Sequence, residues 1–359
     1  MASTKYDTRN SPFLELQTPF TDAEALRMVI LLPLMIPRFL IAVLTVSIVA
    51  IINTIVAWNW PVDKPLSVKR RALVLWSKEL LIVVLWMLGF KITVKGRENI
   101  AKAEELGSVA VFNHVSYVDA PVMMWLLAPS GVGKSSVSNI PIIKHVVRAY
   151  QAVFFHEQRP PKDGAAASVK PAPKPKKNPV AYIVTGSVTE VLQKRVSEPS
   201  YGKPGGFPMI CMAPEGTCGD GRGLLEFRTG AFVLGRPVLP ICLKYRIKGH
   251  NPAWTQVYSE AWHFVRLMCQ WRNELEITIL PPVVPSPEQA ADPRVFADHV
   301  RSLMGRTLGL PLLEQSHAHF LALKKLKVMV DWSGTFVLAP PGVVDKDGTV
   351  DLAKHGMLK

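Results

Sequence analysis

The residues best suited to chemistry are His114 and Asp119, in the run Asn113-His114-Val-Ser-Tyr-Val-Asp119. A carboxylate beside an imidazole fixes its tautomer and raises its basicity, so the ring can take a proton from an attacking hydroxyl. Along one helix, a separation of five residues turns two side chains about 140° apart. The pair meets only if the segment straddles a strand-to-helix turn. The flanking residues fit that geometry: Ser108–Asn113 reads as a strand, and Asp119-Ala-Pro121 reads as a helix start. A plainer role competes, because Asp119 is also a good N-cap and a lone histidine is commonly inert.

Two further runs can bind an anion. Pro214-Glu215-Gly216-Thr217 follows a strand-like segment, Pro208–Ala213. Phe227-Arg228-Thr229-Gly230-Ala231-Phe232 follows it. A loop holding Gly216, Thr217 and Gly230 can present backbone N–H groups and a hydroxyl to an anion. Arg228 can make a bidentate contact with phosphate. Each run alone is a weak signal, since Gly216 also suits an ordinary turn and Arg228 a solvated helix start. Two other runs only imitate known sites. Gly131-Val-Gly133-Lys134-Ser135 lacks the first glycine of a P-loop, because Ala128 stands there. Asp345-Lys-Asp347-Gly348-Thr-Val350-Asp351, aligned as a calcium loop on Gly348, has Val343 and Lys354 at its first and last ligand positions. It reads as a degenerate remnant or a simple turn.

The elements that position these residues fall into an α/β pattern. Short strand-like runs at Ile92–Lys95, Ser108–Asn113, Ala152–Phe155, Pro208–Ala213, Val238–Tyr245 and Glu274–Leu280 alternate with helix-like stretches. Those stretches are Asp119–Leu127, Val180–Lys194, Arg228–Leu234, Glu260–Trp271 and Pro293–Leu308. Such alternation predicts a layered α/β domain over 91–320. Arg159–Pro179 is rich in Pro, Ala and Lys, and is expected to be a disordered basic insertion. Residues 1–25 read as a polar N-terminal tail, and 321–359 as a C-terminal tail. Between the first tail and the domain, 26–90 reads as membrane-anchoring helices. Leu26–Ala57 is almost wholly apolar, and Phe39–Trp58 alone is about long enough to cross a bilayer. Lys64, Lys69, Arg70 and Arg71 then place that side in the cytosol. Ala72–Phe90 is a second span, a re-entrant segment or an interfacial helix. The chain has 42 Lys and Arg against 28 Asp and Glu, a formal charge of +14, with a mean hydropathy of +0.18. A nucleic-acid partner would explain the charge but not the apolar N-terminus, whereas an anionic membrane face suits both. The four cysteines, without zinc spacing, read as reduced thiols. The N-terminus lacks the pattern of a cleaved signal peptide, and nothing in the sequence sets an oligomeric state.

Taken in order, His114/Asp119, Glu215-Gly-Thr, Phe227-Arg-x-Gly-Ala-Phe and Val238-Leu-Pro240-Ile resemble the four blocks of the glycerolipid acyltransferase superfamily. The resemblance covers roughly Lys91 to Gln315. Within it, Glu215-Gly-Thr-Cys218 and the stretch from Cys269-Gln-Trp through Leu308-Gly-Leu-Pro resemble the lysophosphatidylcholine and lysophosphatidylethanolamine acyltransferase branch. This implies a mixed sheet flanked by helices, with an N-terminal membrane helix or helical hairpin. It implies His114 as general base and Asp119 as its orienter. Glu215, Gly216, Thr217, Arg228 and Gly230 would bind the glycerol and phosphate of the acceptor, and Pro240 would shape the pocket. The partners implied are acyl-CoA as co-substrate, a lysophospholipid and membrane lipids, with no metal or prosthetic group, on the cytosolic face of the endoplasmic reticulum. Acylation of lysophosphatidate or glycerol 3-phosphate is the nearest alternative, and a catalytically inactive lipid-binding protein is one of another class. One block departs from the family pattern. Ala152-Val-Phe-Phe155 runs into His156-Glu157 where an arginine is usual, which leaves Arg159, Lys134 or Arg148 to replace it.

Overall fold

A computed structural model describes residues 5–156, 182–184, 186–255 and 259–357. The insertion predicted at Arg159–Pro179 lies outside the described residues. In chain order the elements are β1 (Lys5–Asp7), α1 (Asp22–Ala57), α2 (Val68–Ser77), α3 (Leu81–Met87), β2 (Phe90–Lys95), α4 (Glu98–Glu105) and β3 (Val109–Phe112). There follow α5 (Asp119–Leu127), β4 (Ser130–Lys134), α6 (Ile143–Ala149), β5 (Val153–Phe155), β6 (Tyr182–Val184), α7 (Val188–Val196) and β7 (Ile210–Met212). After a 3-10 turn at Thr229–Leu234 come β8 (Val238–Arg246), α8 (Glu260–Met268), β9 (Asn273–Ile279), α9 (Pro287–Ala291), α10 (Pro293–Leu308) and α11 (His317–Lys325). The chain ends on β10 (Met329–Val330), β11 (Val337–Leu338) and β12 (Thr349–Asp351).

The central sheet has eight strands in the order β2-β9-β8-β3-β7-β4-β5-β6. β8, β3, β7, β4, β5 and β6 run parallel, while β9 is antiparallel to β8 and carries β2 alongside it. β3 sits near the middle and is buried throughout. Its side chains alternate between two cores: Ala110 and Phe112 join the layer of α1, α3 and α5, whereas Val109 and Val111 join the layer of α7 and α10. The carboxyl ends of the six parallel strands therefore share one edge. In open α/β sheets that edge is where ligands bind.

α5 and α10 begin and end where the sequence predicts. Other segments differ. Val180–Lys194, expected as one helix, contains β6, and α7 starts only at Val188, where Ser187 accepts a hydrogen bond from the Glu190 amide at 3.3 Å. Ala72–Phe90 is α2, a 3-10 turn and α3 folded back on α1, with Phe90 already in β2. The charges in this stretch are used: Lys78 donates to the Trp125 and Leu126 carbonyls at the end of α5, at 2.9 and 3.1 Å. Arg70 bonds the Trp58 carbonyl beyond α1 at 3.0 Å, and Arg71 is turned inward onto the Ala128 carbonyl at 2.6 Å. Of the basic cluster, only Lys64 and Lys69 stay exposed.

The residues read as tails are also structured. β1 pairs with β12, and Phe13 and Leu14 are buried with Leu323, Val328 and Val350. Tyr6, Phe13 and Leu14 are the buried hydrophobic side chains that seat the stretch, with Leu16 packed beside them. The boundary expected at 320 falls inside α11. The calcium-loop-like run is the turn into β12: Gly348, at φ +79, donates to the Asp345 carbonyl at 2.9 Å and accepts from the Thr8 amide at 3.1 Å.

Candidate active site

His114 lies two residues beyond β3 and Asp119 opens α5, so the segment straddles a strand-to-helix turn. His114 Nδ1 and Asp119 Oδ2 are 2.8 Å apart. The same oxygen accepts from the Val115 and Ser116 amides at 2.7 and 2.9 Å, which folds the turn around the carboxylate. Tyr245, at the end of β8, donates its hydroxyl to Asp119 Oδ1. Asp119 is fully buried, while the His114 side chain keeps 27% of its surface exposed. With Nδ1 committed to Asp119, Nε2 is the nitrogen that can take a proton, and the Cys218 thiol interacts with the same ring. Burial opposes a charge on this ring, but Cys218 alongside it and the Asp119 carboxylate favour one, and together they hold the imidazole well above its usual range.

The turn is fastened from two sides. The Asn113 side chain donates to the Leu243 carbonyl at 2.9 Å and accepts from its amide at 2.7 Å, continuing the β3–β8 pairing past the last strand residue. Glu215, just after β7, is also buried; its Oε1 accepts from the His114 amide at 2.7 Å and its Oε2 from the Leu225 amide at 2.9 Å. Glu215 thus uses both carboxylate oxygens to brace the His114–Asp119 turn. Burial pushes its pKa up to about 7 against those two donors.

Gly216 has φ +73, and a side chain there would meet Arg228 Cδ at 3.1 Å and Nη1 at 3.4 Å. The Arg228 side chain therefore lies across the bare face of this glycine, with the His317 ring beside it. Its guanidinium is exposed and makes no hydrogen bond or ion pair among the described residues, while its backbone amide donates to the Pro214 carbonyl at 2.8 Å. Gly230, on the 3-10 turn, faces open space, and Thr217 is mostly buried between Gly216 and Cys218. Pro240 lies inside the sheet, aligned with Val111 in the β3–β8 pairing and short of the catalytic edge. The structure thus gathers His114, Asp119, Glu215, Gly216 and Arg228, and sets Pro240 back from them.

Tyr245, Asn113, Cys218 and His317 were not singled out as site residues by sequence. Tyr245 ends a strand-like run and no motif marks it. His317 comes from a segment that carries no periodic signal. Of the residues that could stand in for the arginine usual after Phe155, Arg148 is turned to the Trp60 carbonyl at 3.4 Å, whereas Lys134 ends β4 on the same sheet edge as His114. Gly131–Lys134 is strand rather than phosphate loop, and Ser135 begins the turn after it. Among the described residues, no three His, Cys, Asp or Glu side chains converge as a metal site.

The acyltransferase family profile matches residues 91–244. The chain is 35% identical over 224 residues to lysophospholipid acyltransferase LPEAT1 of Arabidopsis thaliana, covering 62% of this chain and 50% of that protein. It is 31% identical to lysophosphatidylcholine acyltransferase 1 of Danio rerio over 72% of this chain and 43% of the relative. Against lysophosphatidylcholine acyltransferase 2 of Rattus norvegicus, identity is 28% over 86% of this chain and 52% of the relative. The chain therefore spans about half the length of these relatives. Among solved structures, the 1-acyl-sn-glycerophosphate acyltransferase PlsC of Thermotoga maritima aligns with a TM-score of 0.48 and 18% identity, covering 79% of this chain and 96% of that one.

Proposed function

We propose that the chain, which matches the acyltransferase family profile and is similar to lysophospholipid acyltransferases, transfers a fatty acyl group from acyl-CoA to the free hydroxyl of a lysophospholipid. The observation that carries this reading is one strand edge holding both an Asp-oriented imidazole and an unpartnered guanidinium. The lysophospholipid phosphate binds Arg228, which brings the glycerol hydroxyl toward His114. Nε2 of His114 takes the hydroxyl proton as the oxygen attacks the thioester carbonyl. The C–S bond breaks, and the proton passes from the imidazolium to the departing CoA thiolate. Asp119 stabilises the imidazolium between these steps. Acyl-CoA is the only co-substrate, and no prosthetic group takes part.

Membrane residence follows from α1, which has 36 residues and a hydropathy of 2.6 over its most apolar window. Its inner face packs on the domain near both ends, through Met28 and Leu31 against Cys269 and through Ala42, Val49, Ala50 and Val56 in the main core. A helix held along the domain in this way meets lipid with its exposed side, where Val29, Leu40, Leu44, Ile51 and Ile55 lie. The endoplasmic reticulum, with the catalytic edge toward cytosolic acyl-CoA, is the location that suits this chemistry. The test is to supply labelled acyl-CoA with a panel of lysophosphatidylcholine, lysophosphatidylethanolamine, lysophosphatidate and glycerol 3-phosphate. Diacyl product from a lysophospholipid with choline or ethanolamine headgroup is expected. Turnover confined to lysophosphatidate or glycerol 3-phosphate would reassign the acceptor, and no transfer to any of them would leave the inactive lipid-binding alternative.

A further inference from the structure

Far along the chain from α1, the β10–β11 hairpin exposes large aromatic side chains. Trp332 is 51% and Phe336 67% exposed, in the loop that joins the two strands, and Leu338 follows on β11. The loop is rigid. Asp331 Oδ1 accepts from the Thr335 and Phe336 amides at 2.8 and 2.7 Å, and its Oδ2 from the Ser333 amide at 3.0 Å. Those bonds hold the Asp331 carboxyl below its usual range, against the effect of partial burial. The aromatic rings are therefore displayed by a fixed turn.

The hairpin is also fastened to the start of α1. The Phe20 amide donates to the Ser333 carbonyl at 2.6 Å, and Trp262 Nε1 donates to the Trp332 carbonyl at 3.1 Å. The Phe20, Trp262 and Trp332 rings pack with centroids 5.4 to 6.2 Å apart. Phe20 immediately precedes Thr21, the N-cap of α1, beyond which Leu26, Val29 and Ile30 are exposed. The aromatic tip is thus fastened beside the start of α1, whose exposed apolar residues begin about one turn further on at Leu26. Lys324, Lys325 and Lys327, all exposed, precede the hairpin and suit anionic headgroups. Trp is enriched where membrane meets water, because its ring is apolar and its N–H polar.

We propose that the 331–336 hairpin tip is a second membrane contact, inserting Trp332 and Phe336 into the headgroup region of the leaflet that receives α1. The partner is a lipid surface, because the tip is fastened to the start of a helix already read as lipid-facing and presents exposed aromatic rings with basic residues nearby in sequence; the proposal rests on that reading. Two contacts at separate points would fix the tilt of the domain, and so the angle at which the catalytic edge meets its lipid substrate.

The test uses the full chain reconstituted in vesicles of phosphatidylcholine and phosphatidylserine. The four native cysteines are buried, so Phe336→Cys, Leu40→Cys and Glu105→Cys can each carry an environment-sensitive fluorophore. Position 40 reports on α1, and position 105 on an exposed site at the end of α4. Spin-labelled lipid should quench the fluorophore at 336 and at 40 and leave that at 105 untouched. Quenching at 40 with a water-like, unquenched signal at 336 overturns the hairpin proposal while α1 stands as the anchor. Absence of quenching at both 40 and 336 removes the anchor reading and the proposal together. Shielding at 336 that appears only on adding another protein would assign the tip to a protein partner and also overturn the proposal.

Discussion

Tyr245→Phe tests how the catalytic pair is tuned. The substitution keeps the ring that packs on Phe90, with centroids 6.0 Å apart, and removes only the hydroxyl that donates to Asp119 Oδ1. Burial, and then Asp119 itself, hold the Tyr245 pKa well above its usual value, so the hydroxyl stays a donor throughout the working range. A hydrogen bond to a charged group is worth about 1.5–3 kcal/mol. At about 1.4 kcal/mol per decade, the loss in kcat/KM has a ceiling of roughly 10- to 150-fold. The direction of the pH effect is fixed as well. With one donor fewer, the carboxylate places more of its charge on His114, whose pKa is already raised. The base must be neutral to accept a proton, so the acid limb of kcat/KM should move to higher pH. Asp119→Asn removes the charge and should move the limb the other way, with a much larger fall in rate. The assay is CoA release against pH at low lysophospholipid concentration. A limb that stays in place in Tyr245→Phe while the rate falls would refute the account, since that is the behaviour of a purely structural tyrosine.

The remaining predictions concern the brace, the phosphate contact and the anchor. Glu215→Gln keeps one amide acceptor and turns its own N–H₂ toward a second buried donor, which should cost about 1–3 kcal/mol in urea unfolding. Because the Glu215 pKa rises from 4.5 to about 7 on folding, wild-type stability should fall as pH rises through that window. The Gln variant should lack that component of the slope, and an unchanged slope would contradict the burial argument. Gly216→Ala introduces a Cβ at φ +73 and 3.1 Å from Arg228 Cδ; backbone strain of about 1–2 kcal/mol and a displaced Arg228 should raise KM for the lysophospholipid. A rise in KM for acyl-CoA alone would move this contact to the other substrate. Finally, α1 should hold the protein in membranes through high salt and alkaline carbonate, since apolar burial is not screened by ions. Release by salt alone would show that the helix is not embedded.

Much of this was legible in the sequence, and what was not has physical causes. The strand-to-helix placement of His114 and Asp119 follows from the five-residue spacing, which one helix cannot serve, together with the flanking strand-like and helix-start residues. α10 is bounded by Asp292 capping its start and Gly309 closing its end, so its limits could be read directly. The bracing contacts of Glu215 are not legible in its motif, which reports which residue is present and not which way it faces; its partners are the amides of residues 114 and 225, far apart in sequence. Tyr245 reaches Asp119 only because β8 lies beside β3, a pairing between residues more than a hundred positions apart. β6 was hidden because three residues carry no periodicity to tell strand from helix. Arg70 and Arg71 read as a solvated cluster, since nothing in the sequence reveals that carbonyls at Trp58 and Ala128 await them.

The most direct test of the central claim is acyl transfer by His114→Ala in reconstituted membranes, alongside wild type, with labelled acyl-CoA and lysophosphatidylcholine or lysophosphatidylethanolamine. Wild type should form diacyl phospholipid with one CoA released per product. The variant should fall by at least about two orders of magnitude, the usual worth of a general base, while expressing and inserting normally. A His114→Ala protein that is folded, membrane-bound and turning over near the wild-type rate would contradict the account.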